Sequence, residues 1–307
     1  MKLSYTVTEA AAGKTLQTVC RKELLLSATQ LRKAKAGAGL SVNGSSAYSN
    51  RILSAGDVVE LQLEETPPDY PPENGTLNLL YEDELLLVLN KPQGIIVHPT
   101  HSRIEGTLAN SVWGYLSAKG CEGCHAVNRL DRDTSGVILF AKSAWACRLL
   151  TESLASDETR KLYLAAVYGR PKQSEGSITL PICRPDPMNL KRWVGENGEA
   201  ARTDFYVLGE YEDVSFLRLR LYSGRTHQIR VHCASQGFPV LGDRLYGTEA
   251  SLRAAERIGQ ERQALHCDSL SFRHPLNGKM LHFSCFPDTE KNRIFSHFPI
   301  DILKNLC

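Results

Sequence analysis

The chain has 307 residues, 42% hydrophobic and 23% charged, and its 36 Lys and Arg nearly cancel 34 Asp and Glu to leave a net charge of +2. Such a composition can bury a core in one or two globular units and excludes a fibrous repeat or a disordered tail. The longest apolar run, residues 85–89, is too short to span a bilayer, the stretch MKLSYTVTEAAAGK carries no apolar export segment, and nine scattered cysteines then read as reduced thiols, so the expectation is a cytoplasmic protein without a membrane partner.

Charge is segregated along the chain. Residues 21–51 hold six basic side chains (Arg21, Lys22, Arg32, Lys33, Lys35, Arg51) against Glu23 alone, whereas residues 52–90 hold nine acids and no Lys or Arg. The segment 215–232 is basic again, with Arg218, Arg220, Arg225 and Arg230 and no acid. Basic patches of this kind can meet a phosphate backbone even when net charge is small.

In the first 65 residues, Ser27 followed by Gln30 has capping-box spacing and predicts a helix through Lys35, stopped by Gly37 and Gly39, with Arg32 and Lys35 on one face. A strand at 40–42, an Asn43-Gly44 turn and an alternating strand within 56–63 complete a small helix-plus-hairpin unit. Four prolines in TPPDYPPENG, residues 66–75, mark a linker at 66–76, and a larger unit is expected over 77–300. In that unit a hairpin turns at Glu82, Asp83 and Glu84. A helix within 106–118 presents Leu108, Val112 and Leu116, and a buried strand over 137–141 precedes a helix at 144–154. The segment 161–169 alternates so that Lys161, Tyr163 and Ala165 share a face, and strands at 203–208 and 214–221 flank a polar turn. The fold class that follows is α+β, a mixed but largely antiparallel sheet with flanking helices, plus the small N-terminal α+β unit.

Two segments could carry chemistry. RLDRDTSG, residues 129–136, sets two carboxylates between two guanidiniums and ends in a turn, which favours ionised carboxylates competent as nucleophiles or as partners of a cationic sugar. A loop of capped turns and solvent ion pairs would leave the same pattern. In GRTHQIRVH, residues 224–232, Thr226 is expected to cap a helix on which His227 and Arg230 share a face. His227 and His232 are five apart, which does not suit paired zinc ligands on a helix, so both read as ordinary hydrogen-bonded histidines and no metal is expected. CEGCH, residues 121–125, matches a haem-attachment pattern that belongs to exported chains and reads here as a loop.

Two resemblances then enter. Residues 26–61, LSATQLRKAKAGAGLSVNGSSAYSNRILSAGDVVEL, are similar to the alpha-L RNA-binding motif, which implies phosphate contacts from Arg32, Lys33 and Lys35. In the larger unit, YED at 81–83, VLNKPQG at 88–94 with VHP at 97–99, NRLDRDTSG at 128–136, KLY at 161–163, GRTHQIRVH at 224–232 and GFPVLGD at 237–243 occur in order, and together resemble the RluA-type RNA pseudouridine synthases. The resemblance implies that Asp131 is the catalytic aspartate, that Tyr163 stacks on the uracil and is a candidate base, and that Arg230 pairs with the catalytic carboxylate. It also implies that Arg129 fills the space left by a flipped nucleotide and that Arg225 lies on the RNA side. Asn128 stands where the family usually has His; it can contact RNA but cannot become cationic.

The implied reaction detaches uracil from C1′, rotates it and rejoins it through C5, with no cofactor. RNA is the implied partner, ribosomal RNA of the large subunit ahead of transfer RNA, for a monomeric enzyme. The residues leave open whether Asp131 attacks C1′, attacks C6 or removes the C2′ proton. Two other functions fit parts of the pattern: a non-catalytic RNA-binding or ribosome-assembly protein that keeps the fold, and a hydrolytic nucleoside glycosidase.

Overall fold

The computed structural model describes residues 2–37, 39–186 and 189–298, so the expected end of the larger unit at residue 300 lies outside the described residues. The N-terminal unit comprises β1 (Lys2–Thr6), α1 (Leu16–Lys22), α2 (Ala28–Ala36), β2 (Leu40–Val42), β3 (Ser45–Ser46) and β4 (Val58–Gln62), with the strands in one antiparallel sheet of order β1-β4-β2-β3. Ser27 Oγ accepts from the Gln30 N–H at 3.1 Å, and Gln30 Oε1 accepts from the Ser27 N–H at 3.0 Å, so the capping box opens α2 as its spacing predicts. Asn43 (φ 54°) and Gly44 (φ 75°) supply the two left-handed positions that a two-residue hairpin turn needs.

Residues 66–76 form no regular element, yet they are strapped to the larger unit. The buried Tyr70 donates its hydroxyl to the Cys124 carbonyl at 3.4 Å, Glu73 Oε1 accepts from the Gly106 N–H at 2.8 Å, and the Pro71 carbonyl accepts from Asn110 at 2.9 Å. The proline-rich stretch is thus a fixed strap rather than a free spacer.

The larger unit contributes β5 (Leu79–Glu82), β6 (Leu86–Lys91), α3 (Leu108–Ala118), β7 (His125–Ala126), β8 (Ser135–Ala141), α4 (Ala144–Leu154), β9 (Arg160–Tyr168), β10 (Glu175–Ile178), β11 (Ile182–Cys183), β12 (Trp193–Val194), β13 (Thr203–Tyr211), β14 (Val214–Leu221), α5 (Gln228–Ser235), α6 (Glu249–Ile258), β15 (Leu265–Arg273) and β16 (Met280–Ser284). Eight strands run in the order β10-β13-β14-β9-β15-β8-β6-β5, with β16 added to β15 and β7 to β8, while β11 and β12 form a separate hairpin. Every described pair in the large sheet is antiparallel except β8 with β15. This mixed α+β architecture is the class expected from the alternation of strands and helices.

Alternation along β9 divides the core. Tyr163, Ala165 and Val167 join the main cluster with α4 and α5, while Leu164 and Ala166 pack on the other face against Ala254 and Ala255 of α6 and against Phe295. All seven residues of β8 are buried because it is central and covered on both faces. The N-terminal unit docks on α4, where the buried Trp145 Nε1 donates to the Leu24 carbonyl at 3.0 Å and Glu65 accepts from the Ala144 N–H at 2.9 Å.

Candidate active site

Asp131 sits in the loop between β7 and β8, and that loop is held from beneath. Lys91, at the end of β6 and fully buried, donates to the carbonyls of Pro92 (2.9 Å), Arg132 (3.0 Å) and Thr134 (2.8 Å). Burial lowers the Lys91 pKa to about 7, against the pull of Asp133 and Asp131. Three acceptors require all three ammonium protons, so the geometry is that of the charged form. Gly136, at the start of β8, has φ 113° and leaves room for β15, since a Cβ there would lie 2.2 Å from the Cys267 carbonyl oxygen. The parallel β8–β15 pairing and the position of the Asp131 loop depend together on that glycine.

Above the loop, α5 presents Arg230. Its Nη1 donates to Asp131 Oδ2 at 2.8 Å, while Nε and Nη2 form a fork on the Asp243 carboxylate at 2.7 and 2.9 Å. The Asp243 side chain is 0% exposed and also accepts from the Leu245 and Tyr246 N–H groups, so it is a fixed anchor that aims the guanidinium. Asp131 is 25% exposed at its side chain and is the end of this chain that faces solvent. It lies in the wall of a cleft of about 560 Å³ together with Arg132, His227, Arg230, Arg244 and Arg262, a size suited to a small ligand or a single nucleotide. Burial pushes Asp133 upward, but Arg132 (3.0 Å) and Arg262 (2.7 Å) outweigh it and hold its carboxyl below the usual carboxylate range.

Asp131 and Arg230 therefore meet as expected, and Tyr163 lies close by. Its side chain is buried within the main core, where its hydroxyl neighbours the Cys267 thiol. Burial holds the phenol well above its ordinary range, and Cys267 and Asp131 push the same way, so it stays protonated.

The remaining candidates are dispersed. Arg129 is exposed on the Asp131 loop. Asn128 turns its Oδ1 inward to accept from the Leu139 N–H at 2.8 Å, which makes that oxygen a support for β8 rather than a free RNA contact. Arg225 is ion-paired with Glu199 and donates to the Ala200 carbonyl at 3.2 Å. Arg32, Lys33 and Lys35 are exposed along α2, outside the cleft, with Lys35 donating to Gln17 at 2.9 Å.

The segment expected as a second basic surface is largely taken up internally, since Arg218 faces Asp268 at 3.7 Å, Arg220 lies over Tyr222, and Arg225 and Arg230 are paired as above. Thr226 does not cap α5; His227 occupies that position in a left-handed conformation (φ 58°). His232 is the ordinary structural histidine that its spacing suggested, bonded to Thr203 and to the Leu180 carbonyl. His227 instead faces the cleft. In the 121–125 stretch, Cys124 is buried and His125 is paired with Glu65 at 2.7 Å. Sequence reasoning missed Lys91, Asp243, Tyr246 and Arg262 as parts of the site. Lys91 falls in VLNKPQG and Asp243 in GFPVLGD, but neither stretch tells what its charged side chain meets.

Residues 85–235 match the family described as RNA pseudouridylate synthase. An "Uncharacterized RNA pseudouridine synthase" of Aquifex aeolicus is 39% identical over 254 residues, 79% of this chain and 80% of its own length. A "Ribosomal large subunit pseudouridine synthase D" of Xanthomonas campestris is 35% identical over 304 residues, 94% of this chain and 90% of its own. Among solved structures, Human RNA Pseudouridylate Synthase Domain Containing 1 aligns with a TM-score of 0.56 at 28% identity, over 71% of this chain and 86% of that one. With the ordered motifs and the Asp131–Arg230–Asp243 arrangement, these similarities establish that the chain belongs to the RluA-type family of RNA pseudouridine synthases and isomerises uridine to pseudouridine in RNA.

Proposed function

We propose that Asp131 is the carboxylate that engages the target nucleotide, that the uridine is flipped from its stack into the cleft, and that the RNA is ribosomal RNA of the large subunit. The observation that carries the first part is the Asp131–Arg230 bond at 2.8 Å, in which Arg230 is fixed by Asp243 and Asp131 is the most exposed of the three. A guanidinium so held aims the carboxylate, and it stabilises the leaving carboxylate if the sugar is engaged at C1′. A base still in its stack cannot be reached by a carboxylate in a cleft, so extrusion at a cost of about a few kcal/mol is required, and contacts in the pocket offset it. In this reading Tyr163 floors the pocket as a neutral ring, and exposed Arg129 on the same loop fills the vacated stack. The ribosomal target is supported by relatives named Ribosomal large subunit pseudouridine synthase D, and by the exposed strip of Arg32, Lys33 and Lys35 on α2, a natural contact for phosphates.

The test is tritium release from RNA labelled at uridine C5, with large-subunit ribosomal RNA and transfer RNA offered separately. The wild type should release tritium from the ribosomal substrate and Asp131→Asn should release none. Equal release by the two proteins would refute the Asp131 assignment, and release from transfer RNA alone would refute the target.

A further inference from the structure

Whichever atom Asp131 engages first, the product requires C5 of the uracil to bond to C1′ and then to lose its proton. The C5–H pair becomes the C5=C6 bond, the C6=N1 pair moves to N1, and N1 takes a proton from water, so the step is a tautomerisation that needs an acceptor and no other reagent. Tyr163 is a buried phenol whose burial keeps its proton on, Asp133 is held by two arginines, Asp243 is buried in the Arg230 fork, and Asp131 is committed to the nucleotide.

We infer that His227 is the base that removes the C5 proton, an assignment that rests on the reading of Asp131 above. His227 lies in the cleft wall with its side chain 15% exposed, and its Nε2 is 4.0 Å from Asp131 Oδ2. That separation is beyond hydrogen-bond reach, so no contact with Asp131 holds a proton on Nε2. The opposite ring nitrogen is fixed: Nδ1 lies 2.9 Å from the Tyr246 hydroxyl oxygen, which also accepts from the Arg192 N–H at 2.7 Å. In the tautomer in which Nδ1–H donates to that oxygen, the Nε2 lone pair is free to accept a proton from the cleft. The groups that face the ring are Asp131 from the β7–β8 loop, Arg230 from its own helix, Arg192, and Asp243 and Tyr246 from the loop before α6. Burial lowers the His227 pKa; Arg230 and Arg192 reinforce the effect against Asp131 and Asp243, so the ring is neutral and able to accept a proton at pH 7.

The backbone gives a second, independent sign. His227 is one of four non-glycine residues at positive φ among those described, a conformation glycine adopts without strain. The turn itself does not call for a histidine, so the role is to be sought in the ring.

The same feature supplies the test, because His227→Gly removes the ring at a position whose backbone suits glycine. In single-turnover reactions with saturating RNA, His227→Gly should form pseudouridine roughly 10²-fold more slowly, with unchanged RNA affinity and with partial rescue by added imidazole. Deuterium at C5 should slow the variant more than the wild type, and the acidic limb of the wild-type pH profile should vanish in the variant. A loss under about threefold, or a loss without imidazole rescue or an enlarged C5 isotope effect, would overturn the assignment. Asp131→Asn run in parallel separates the two readings: if it stays active the whole site reading fails, whereas if it is dead and His227→Gly is near normal only the role of His227 fails.

Discussion

Replacing Lys91 with Met tests whether the Asp131 loop is held by charge or by shape. Methionine keeps the length and apolar stem of lysine and removes the ammonium. The Pro92 and Thr134 carbonyls then lose the Lys91 donor, while the Arg132 carbonyl keeps the Gly94 N–H at 2.9 Å. The orphaned acceptor of buried Thr134 costs about 1–3 kcal/mol, while exposed Pro92 can turn to water. Against this, Met removes the penalty of burying a charge: a pKa lowered from 10.5 to about 7 corresponds to about 5 kcal/mol against the charged form. The relief exceeds the loss, so Lys91→Met should be about 2–4 kcal/mol more stable than the wild type at pH 7, while its C5 tritium release falls at least about tenfold because the loop is no longer pinned.

Linkage gives a second reading of the same variant. Between pH 7 and 10.5 the unfolded chain keeps the Lys91 proton that the folded protein has lost, so wild-type stability rises with pH there and is flat in this respect below 7. Urea unfolding at pH 7 and pH 9 should show the wild type gaining about 2 kcal/mol over Lys91→Met. Parallel pH dependences together with undiminished tritium release would refute the reasoning.

Asp243→Asn breaks the fork on Arg230 and leaves a buried guanidinium half compensated, which should cost about 3 kcal/mol in urea unfolding and lower activity without changing RNA affinity. Gly136→Ala should lose at least about 3 kcal/mol, read as a lower melting temperature or insolubility, because its Cβ would collide with the Cys267 carbonyl of β15. His266, bonded to Ser135 and the Cys285 carbonyl, has its pKa lowered by burial to about 4. The unfolded chain takes up that proton first as pH falls, so about 3 kcal/mol of stability present above pH 6.5 should be lost by pH 4, and His266→Gln should flatten that slope.

What the sequence made legible is what is decided within a few residues. The capping box at Ser27 and Gln30, the Asn43-Gly44 turn, the helix at 144–154 and the two-faced strand through Tyr163 all follow from spacing, because hydrogen bonds to near neighbours and alternation of side chains fix them. The site depends on longer separations. Lys91 reaches a loop 41 and 43 residues away, Arg230 meets Asp131 across 99 residues, and Gly136 matters only because β15 runs beside it. Asp243 ends the GFPVLGD stretch, but nothing within that stretch tells that its carboxylate meets Arg230.

Charge was the least reliable guide for the same reason. The basic run at 215–232 looked like a surface, but a guanidinium counts toward an external field only if no carboxylate neutralises it nearby. Arg230 faces two carboxylates, and Arg225 and Arg218 one each. The exposed basic side chains beside Asp131 come instead from separate loops: Arg129 from the Asp131 loop, Arg103 from the segment before α3, and Arg244 from the turn before α6. A phosphate backbone laid across the cleft would meet positive charge contributed by three distant parts of the chain, a pattern that a running sum of charge along the sequence cannot register.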